Sequence, residues 1–223
     1  MLNLSHAPTR LLVQTTRHIE RTIGRSPMVF HEMLGERRLD LHVIPPHAGP
    51  ATATHPHGRN FFTIVTSGLS AATSNKAHAG QRPQSAELMI SLPPSWPALR
   101  ADGTFCDEFM RDERSSWPLR LLKNAARMCL DRGTMAGELF PCVTESRCKI
   151  GSAPFSGAAA LPSALHPLSR RLVAHDDFAI SFFALWPLYE RELTAVLSGT
   201  QLGHVLAQHG VTDLIEVERR SML

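Results

Sequence analysis

Apolar and polar positions change period several times along the chain, and each change marks an element. Across residues 10–23, Leu12, Thr16, Ile19 and Ile23 recur at helical spacing and predict a helix closed by Gly24. In RRLDLHVIPP the period drops to two. Leu39, Leu41 and Val43 alternate with Asp40 and His42, the pattern of a half-buried strand that Pro45 and Pro46 end. Phe61 to Thr66 form an aromatic and β-branched run broken by Ser67 and Gly68, which predicts a second strand. A third covers residues 86–92 and stops at Pro93 and Pro94.

The segment from Ala98 to Ser115 is charged and aperiodic and reads as exposed loop. SSWPLRLLKNAARMCL then predicts the strongest helix. Serines precede it, Pro118 suits a first turn, and Leu121, Leu122, Ala125, Met128 and Cys129 form an inward stripe. PFSGAAALP reads as a strand weakened by Gly157. DFAISFFALWPL is apolar almost throughout, which places it in the middle of a sheet with both faces covered. YERELTAVLS and QLGHVLAQHG read as two short helices closed by Gly199 and Gly210. Strands interleave with helices without a strict βαβ rhythm, so the fold class is α/β, a mixed β-sheet covered by helices on both faces.

Composition narrows the function classes. The chain has 223 residues, 43% of them hydrophobic and 19% charged, enough for one domain with its own core. A net charge of +3 is too mild for a nucleic-acid grip. The run FAISFFALWPL is too short to span a bilayer, and no secretory signal opens the chain, so a cytoplasmic protein is expected. Cys106, Cys129, Cys142 and Cys148 form no C-x-x-C pair and read as free thiols.

The candidate chemistry is thin. His42, His47, His55 and His57 crowd into LHVIPPHAGPATATHPHG, which raises a metal-dependent enzyme built on His42, His55 and His57. A zinc site needs ligands on rigid elements, whereas residues 47–58 are a Pro/Gly/Thr-rich loop and neither H-E-x-x-H nor P-C-x-x-C occurs. A solvated loop plus one strand histidine is the simpler account. Ser67 follows a strand as a nucleophile would, but G-x-S-x-G is missing, because Val65 and Leu69 occupy the glycine positions. Phosphate-binding glycine loops are absent too. Arg120, Lys123 and Arg127 line one helix face without interleaved aromatics and read as its wet side. Glu87 stands out because it opens an apolar strand and needs a partner there. No catalytic or metal site emerges, and no cofactor is implied.

Five blocks resemble the suppressor of fused domain family, in its bacterial form. They are LDLHVIPP, FFTIVTSGLS, AELMISLPPSWP, WPLRLLKNAAR and FFALWPLYERELTAVLSG with LAQHGVTDLIEV, in the family's order, roughly from His18 to Val217. The resemblance implies one domain over residues 1–223, an α/β/α sandwich, and a non-catalytic protein-binding role. The animal relative sequesters a transcription factor by holding a short peptide as an added strand between two domains; this chain matches one of them. Bacterial relatives are proposed immunity proteins against polymorphic toxins, so the partner implied is a toxin or a peptide segment. Residues 131–150 depart from the family: GTMAGELFPCVTES keeps Gly133 and Gly137 but lacks the usual aromatic, His and Asn. The loop 47–60 is also longer than usual. The family-like blocks nominate Thr66, Ser67, Gly68 and Glu87 as protein-binding residues, against a simpler role in holding a turn together.

Overall fold

A computed structural model describes residues 7–34, 37–48, 59–73, 85–132, 153–175, 178–198 and 202–223. Its centre is a seven-stranded mixed sheet. The strands are β1 (Met28–Leu34), β2 (Arg37–Ile44), β3 (Phe62–Ser67), β4 (Ser85–Leu92), β5 (Gly157–Pro162), β6 (Arg171–His175) and β7 (Phe178–Leu188). Their spatial order is β1-β2-β3-β4-β7-β5, and β6 also pairs β7. Among the named strands only β4 and β7 run parallel; the other pairs are antiparallel. A parallel pair needs a long crossover, and here it includes helices α3 (Asp107–Met110) and α4 (Glu113–Arg132).

β7 is flanked on both sides, as its unbroken hydrophobicity predicts. One edge meets β4 from Ile180 to Ala184. The opposite edge is shared end to end: β6 covers Phe178–Ser181 and β5 covers Phe183–Leu188. The connection from Ser163 to Arg170, with a short 3-10 turn at Pro167–Ser169, joins these two half-length neighbours.

Helices cover both faces. On one side Leu39, Leu41, Ile64, Leu88 and Ile90 of the sheet pack with Trp117, Leu121, Leu122 and Ala125 of α4. On the other, Val65, Met89, Phe182 and Trp186 pack with Leu11 and Ile19 of α1 (Ala7–Thr22), Leu193 and Val196 of α5 (Glu190–Leu197), and Leu202 and Leu206 of α6 (Leu202–Gln208). The expected α/β/α sandwich is present. Among the described residues no helix is long and apolar enough to cross a membrane.

Several boundaries differ from the sequence pattern. α1 buries Leu11, Thr15, His18 and Thr22 with Ile19 and Ile23, a face slightly rotated from the predicted one. Gly24 does end it, at φ +149°, where a Cβ would lie 2.6 Å from the Ala48 carbonyl oxygen. α4 begins at Glu113, before the serines, because the Asp112 carboxylate accepts from Arg114 N at 3.0 Å. Pro118 therefore lies inside the helix rather than in its first turn. The span 98–115 is not all exposed. Ala98 and Leu99 are buried, and Leu99 bridges to Phe105. The strands β1 and β6 and the short helix α2 (Leu69–Thr73) have no counterpart in the periodicity.

Candidate functional site

The turn from β3 into α2 gathers all four nominated residues. Gly68 permits the turn: its φ is +102°, and a Cβ there would approach the Arg38 carbonyl oxygen to 2.9 Å. With the chain turned this way, Gly68 N (3.1 Å), Ser70 N (3.0 Å) and Ser70 Oγ (2.7 Å) all donate to Glu87 Oε1. Thr66 Oγ1 donates to Glu87 Oε2 at 2.6 Å and accepts from Leu88 N at 2.9 Å. Glu87 is fully buried. Burial pushes its carboxyl up to about 7, more than the four hydrogen bonds can offset.

Register brings a second layer to the same end of the sheet. Ser67 pairs with Asp40 across β2–β3, and Val65 with His42. His42 Nε2 lies 2.8 Å from Ser67 Oγ. Burial lowers the His42 pKa, so its ring stays neutral near pH 7. Beside it, Asp40 accepts from Arg38 Nε at 2.7 Å and contacts His31 Nδ1 at 2.7 Å. Burial alone would raise the Asp40 carboxyl; the bonds from Arg38 and His31 outweigh it and hold it below the usual range. Thr66, Ser67 and Glu87 are thus sealed inside, Gly68 is half-buried, and Arg38 and His31 form an exposed rim.

This arrangement resembles a serine–histidine pair. Ser67 has no solvent-exposed surface, and among the described residues no carboxylate is hydrogen-bonded to His42. As for metal, His42 Nε2 is engaged by Ser67, while His55 and His57 lie outside the described residues. Among the described residues no group of three or more His, Cys, Asp or Glu could hold an ion. Cys106 is a free thiol and Cys129 is buried in the core; Cys142 and Cys148 fall outside the described residues, as does the divergent block from 133 onward.

Two further polar centres were not visible in the sequence. Arg59, buried, donates to His166 Nδ1 at 2.6 Å and to the Ile23 carbonyl at 2.6 Å. Because Nδ1 accepts, the His166 proton sits on Nε2, 2.9 Å from Thr63 Oγ1. Burial, then the Arg59 charge, push the His166 pKa down to about 3. Nearby, Asp213 accepts from Ser163 Oγ (2.6 Å), Ala164 N (2.8 Å) and Leu165 N (3.0 Å). Burial raises its pKa despite those bonds. The second centre is Glu192, buried and gripped by both Arg219 Nη atoms at 2.7 Å, with that guanidinium also over the Tyr189 ring at 4.8 Å. These partners are 27 to 107 residues apart, so no local spacing could announce them.

Comparison with known proteins bears on the fold. The crystal structure of the Sufu–Fu complex matches with a TM-score of 0.57 at 11% identity, covering 96% of this chain and 91% of that one. The crystal structure of Drosophila Suppressor of Fused matches with a TM-score of 0.57 at 13% identity, covering 94% of this chain. This chain spans 50% of that Drosophila chain. At these identities the likeness shows the fold. No curated protein matches the chain. Residues 35–220 match the family described as Suppressor of fused protein (SUFU), and the chain belongs to that family.

Proposed function

We propose that this chain is a non-catalytic protein-binding domain of the bacterial suppressor of fused type. In this reading it works in the cytoplasm as an immunity-type protein, neutralising or sequestering a toxin or a peptide segment of one. Family membership across residues 35–220 carries the reading. A protein of the same fold is known in complex with Fu, which gives the fold a precedent for protein partners. The chemistry-bearing side chains support it too. Ser67, His42 and Glu87 are buried and committed to internal bonds, an arrangement that stiffens a surface rather than turning over a substrate.

The partner surface is the β3–α2 turn with the outer edge of β1. Thr66, Ser67 and Glu87 act from beneath by fixing the turn, while Gly68 and the Arg38–His31 rim meet the partner. Affinity capture from the native host tests this, with wild type and an Arg38→Ala/His31→Ala double variant as baits. Wild type should recover a protein that forms a stoichiometric complex on gel filtration, and the double variant should recover much less. Recovery of no specific protein overturns the reading. Stoichiometric metal in untagged protein would overturn it as well, in favour of an enzyme using His42, His55 and His57.

A further inference from the structure

The buried carboxyls of this chain are held in different ways. Glu192 is paired with a cation, Arg219. Glu87 has no such counter-charge: among the described residues no Lys, Arg or His side chain bonds to it. Every bond it makes comes from one turn. Oε1 accepts from Gly68 N, Ser70 N and Ser70 Oγ, and Oε2 accepts from Thr66 Oγ1. A carboxyl on β4 therefore fastens the β3–α2 turn to the sheet.

The elements around it supply little charge. β3, β7 and α2 carry no ionisable side chain. On α4, Cys129 is buried, Arg120 and Lys123 are paired with Glu113 and Glu32, and Arg114 and Arg127 are exposed. α1 buries His18 and leaves Arg10, Arg17, Glu20 and Arg21 outside. β2 brings Asp40, already held by Arg38 and His31, and His42, bonded to Ser67. Glu87 can ionise only by keeping an unpaired charge inside or by meeting water. The turn offers the route. Gly68 is half-buried at φ +102°, while Thr66, Ser70 and Glu87 beneath it are buried, and α2 is only five residues long.

We infer that the β3–α2 turn is a pH-responsive element, closed while Glu87 keeps its proton and opening to water around Gly68 as that proton is released. The consequence rests on the protein-binding reading, in which Gly68 meets the partner: that surface is stiff in acid and loosens toward neutral pH. Leu69 stays packed in the cluster that α4 covers, so the open form is a minor population.

The closed carboxyl titrates at about 7, and in the open turn it returns to its ordinary 4.5. Opening is therefore independent of pH below about 4.5, grows about tenfold per pH unit between the two values, and is level above about 7. The total gain is about 300-fold. His42 acts in the opposite sense, because burial lowers its pKa and wetting its ring favours proton uptake in acid.

The test is amide hydrogen exchange by NMR on the full chain, from about pH 4.5 to about pH 8, in wild type and Glu87→Gln. Glutamine keeps the hydrogen bonds and has no proton to lose. Residue 87 is remote in sequence from Gly68 and Ser70, so intrinsic exchange and the His42 contribution cancel in the ratio of the two proteins. For both amides the ratio of wild type to variant should rise by about 300-fold up to about pH 7 and then stay constant. These rates should not respond to low urea. Ile64, on a strand paired on both sides, should exchange far more slowly and speed up with urea.

A ratio that stays flat with pH overturns the proposal. So does exchange of Gly68 and Ser70 at the rate and urea sensitivity of Ile64, since the turn would then open only with the whole fold. If the variant does not fold, the ¹³C signal of the Glu87 carboxyl in wild type decides. A midpoint near 4.5 overturns the proposal, whereas a midpoint near 7 with urea-independent exchange at Gly68 supports it. No partner enters these measurements, so the switch and the protein-binding reading fail separately.

Discussion

Replacing Glu87 by glutamine separates the charge of this buried carboxyl from its hydrogen bonds. The carboxyl titrates at about 7 in the folded protein against an ordinary value of 4.5. That gap corresponds to about 3 kcal/mol. Because the folded-state value is the higher one, the native state holds the proton where the unfolded chain has released it. The resulting stabilisation is fully present below about pH 4.5 and is lost as pH rises through about 7. Glutamine imitates the protonated acid. Its carbonyl oxygen can still accept from Gly68 N, Ser70 N and Ser70 Oγ, and its NH₂ can donate to Thr66 Oγ1. Glu87→Gln should therefore match wild type near pH 4.5 and exceed it by up to about 3 kcal/mol at about pH 8. Urea titrations of both proteins across that range measure the difference, and every other titrating group cancels between them if the m-values agree. A glutamine variant less stable than wild type at about pH 8 would refute the reasoning. It would mean that the four donors hold the charged form in preference to the neutral one.

Three other outcomes follow from the geometry. Gly68→Ala must place a Cβ against the Arg38 carbonyl at a left-handed φ, so it should lower stability by roughly 1–3 kcal/mol, whereas Gly203→Ala, in open space within α6, should raise it by about 1 kcal/mol; paired thermal melts decide both. Arg219→Ala strands the buried Glu192 carboxylate and should cost roughly 3–5 kcal/mol, with Glu192→Gln in the same chain recovering part of the loss in chemical denaturation. His166 should keep one neutral ring signal from about pH 8 down to about pH 5 by NMR, since its proton uptake is depressed to about 3; because its folded value lies below the unfolded 6.5, its contribution to stability is lost as pH falls from about 6.5 toward 3.

Strands β2, β3, β4 and β7 were legible because each buries at least one face and its side chains repeat every second residue or run unbroken. β1 escaped because an edge strand with half-buried residues such as Met28, Val29 and Phe30 shows no clean alternation. β6 is only five residues long, and its Val173 stays exposed. The turn at Thr66–Gly68 and the isolated charge of Glu87 were visible as local anomalies, and the fold brings them together. Their partners were not visible: Ser70 lies in α2, a helix the periodicity did not announce, and the pairing of His42 with Ser67 depends on a strand register that no single strand encodes. Arg59, His166 and Asp213 meet only once the whole sheet has formed, so their role is a property of topology rather than spacing.

The split edge of β7 needs a joint between its two neighbours. β5 and β6 are consecutive strands that must lie in line, so the chain between them has to leave the sheet and return within eight residues, Ser163 to Arg170. That detour is fastened by Asp213, fifty residues beyond Ser163, and by Arg59, more than a hundred before His166. The joint between β5 and β6 is therefore held by side chains from the far ends of the chain, so loss of the Asp213 carboxyl should loosen one edge of β7 while its pairing with β4 stays in place.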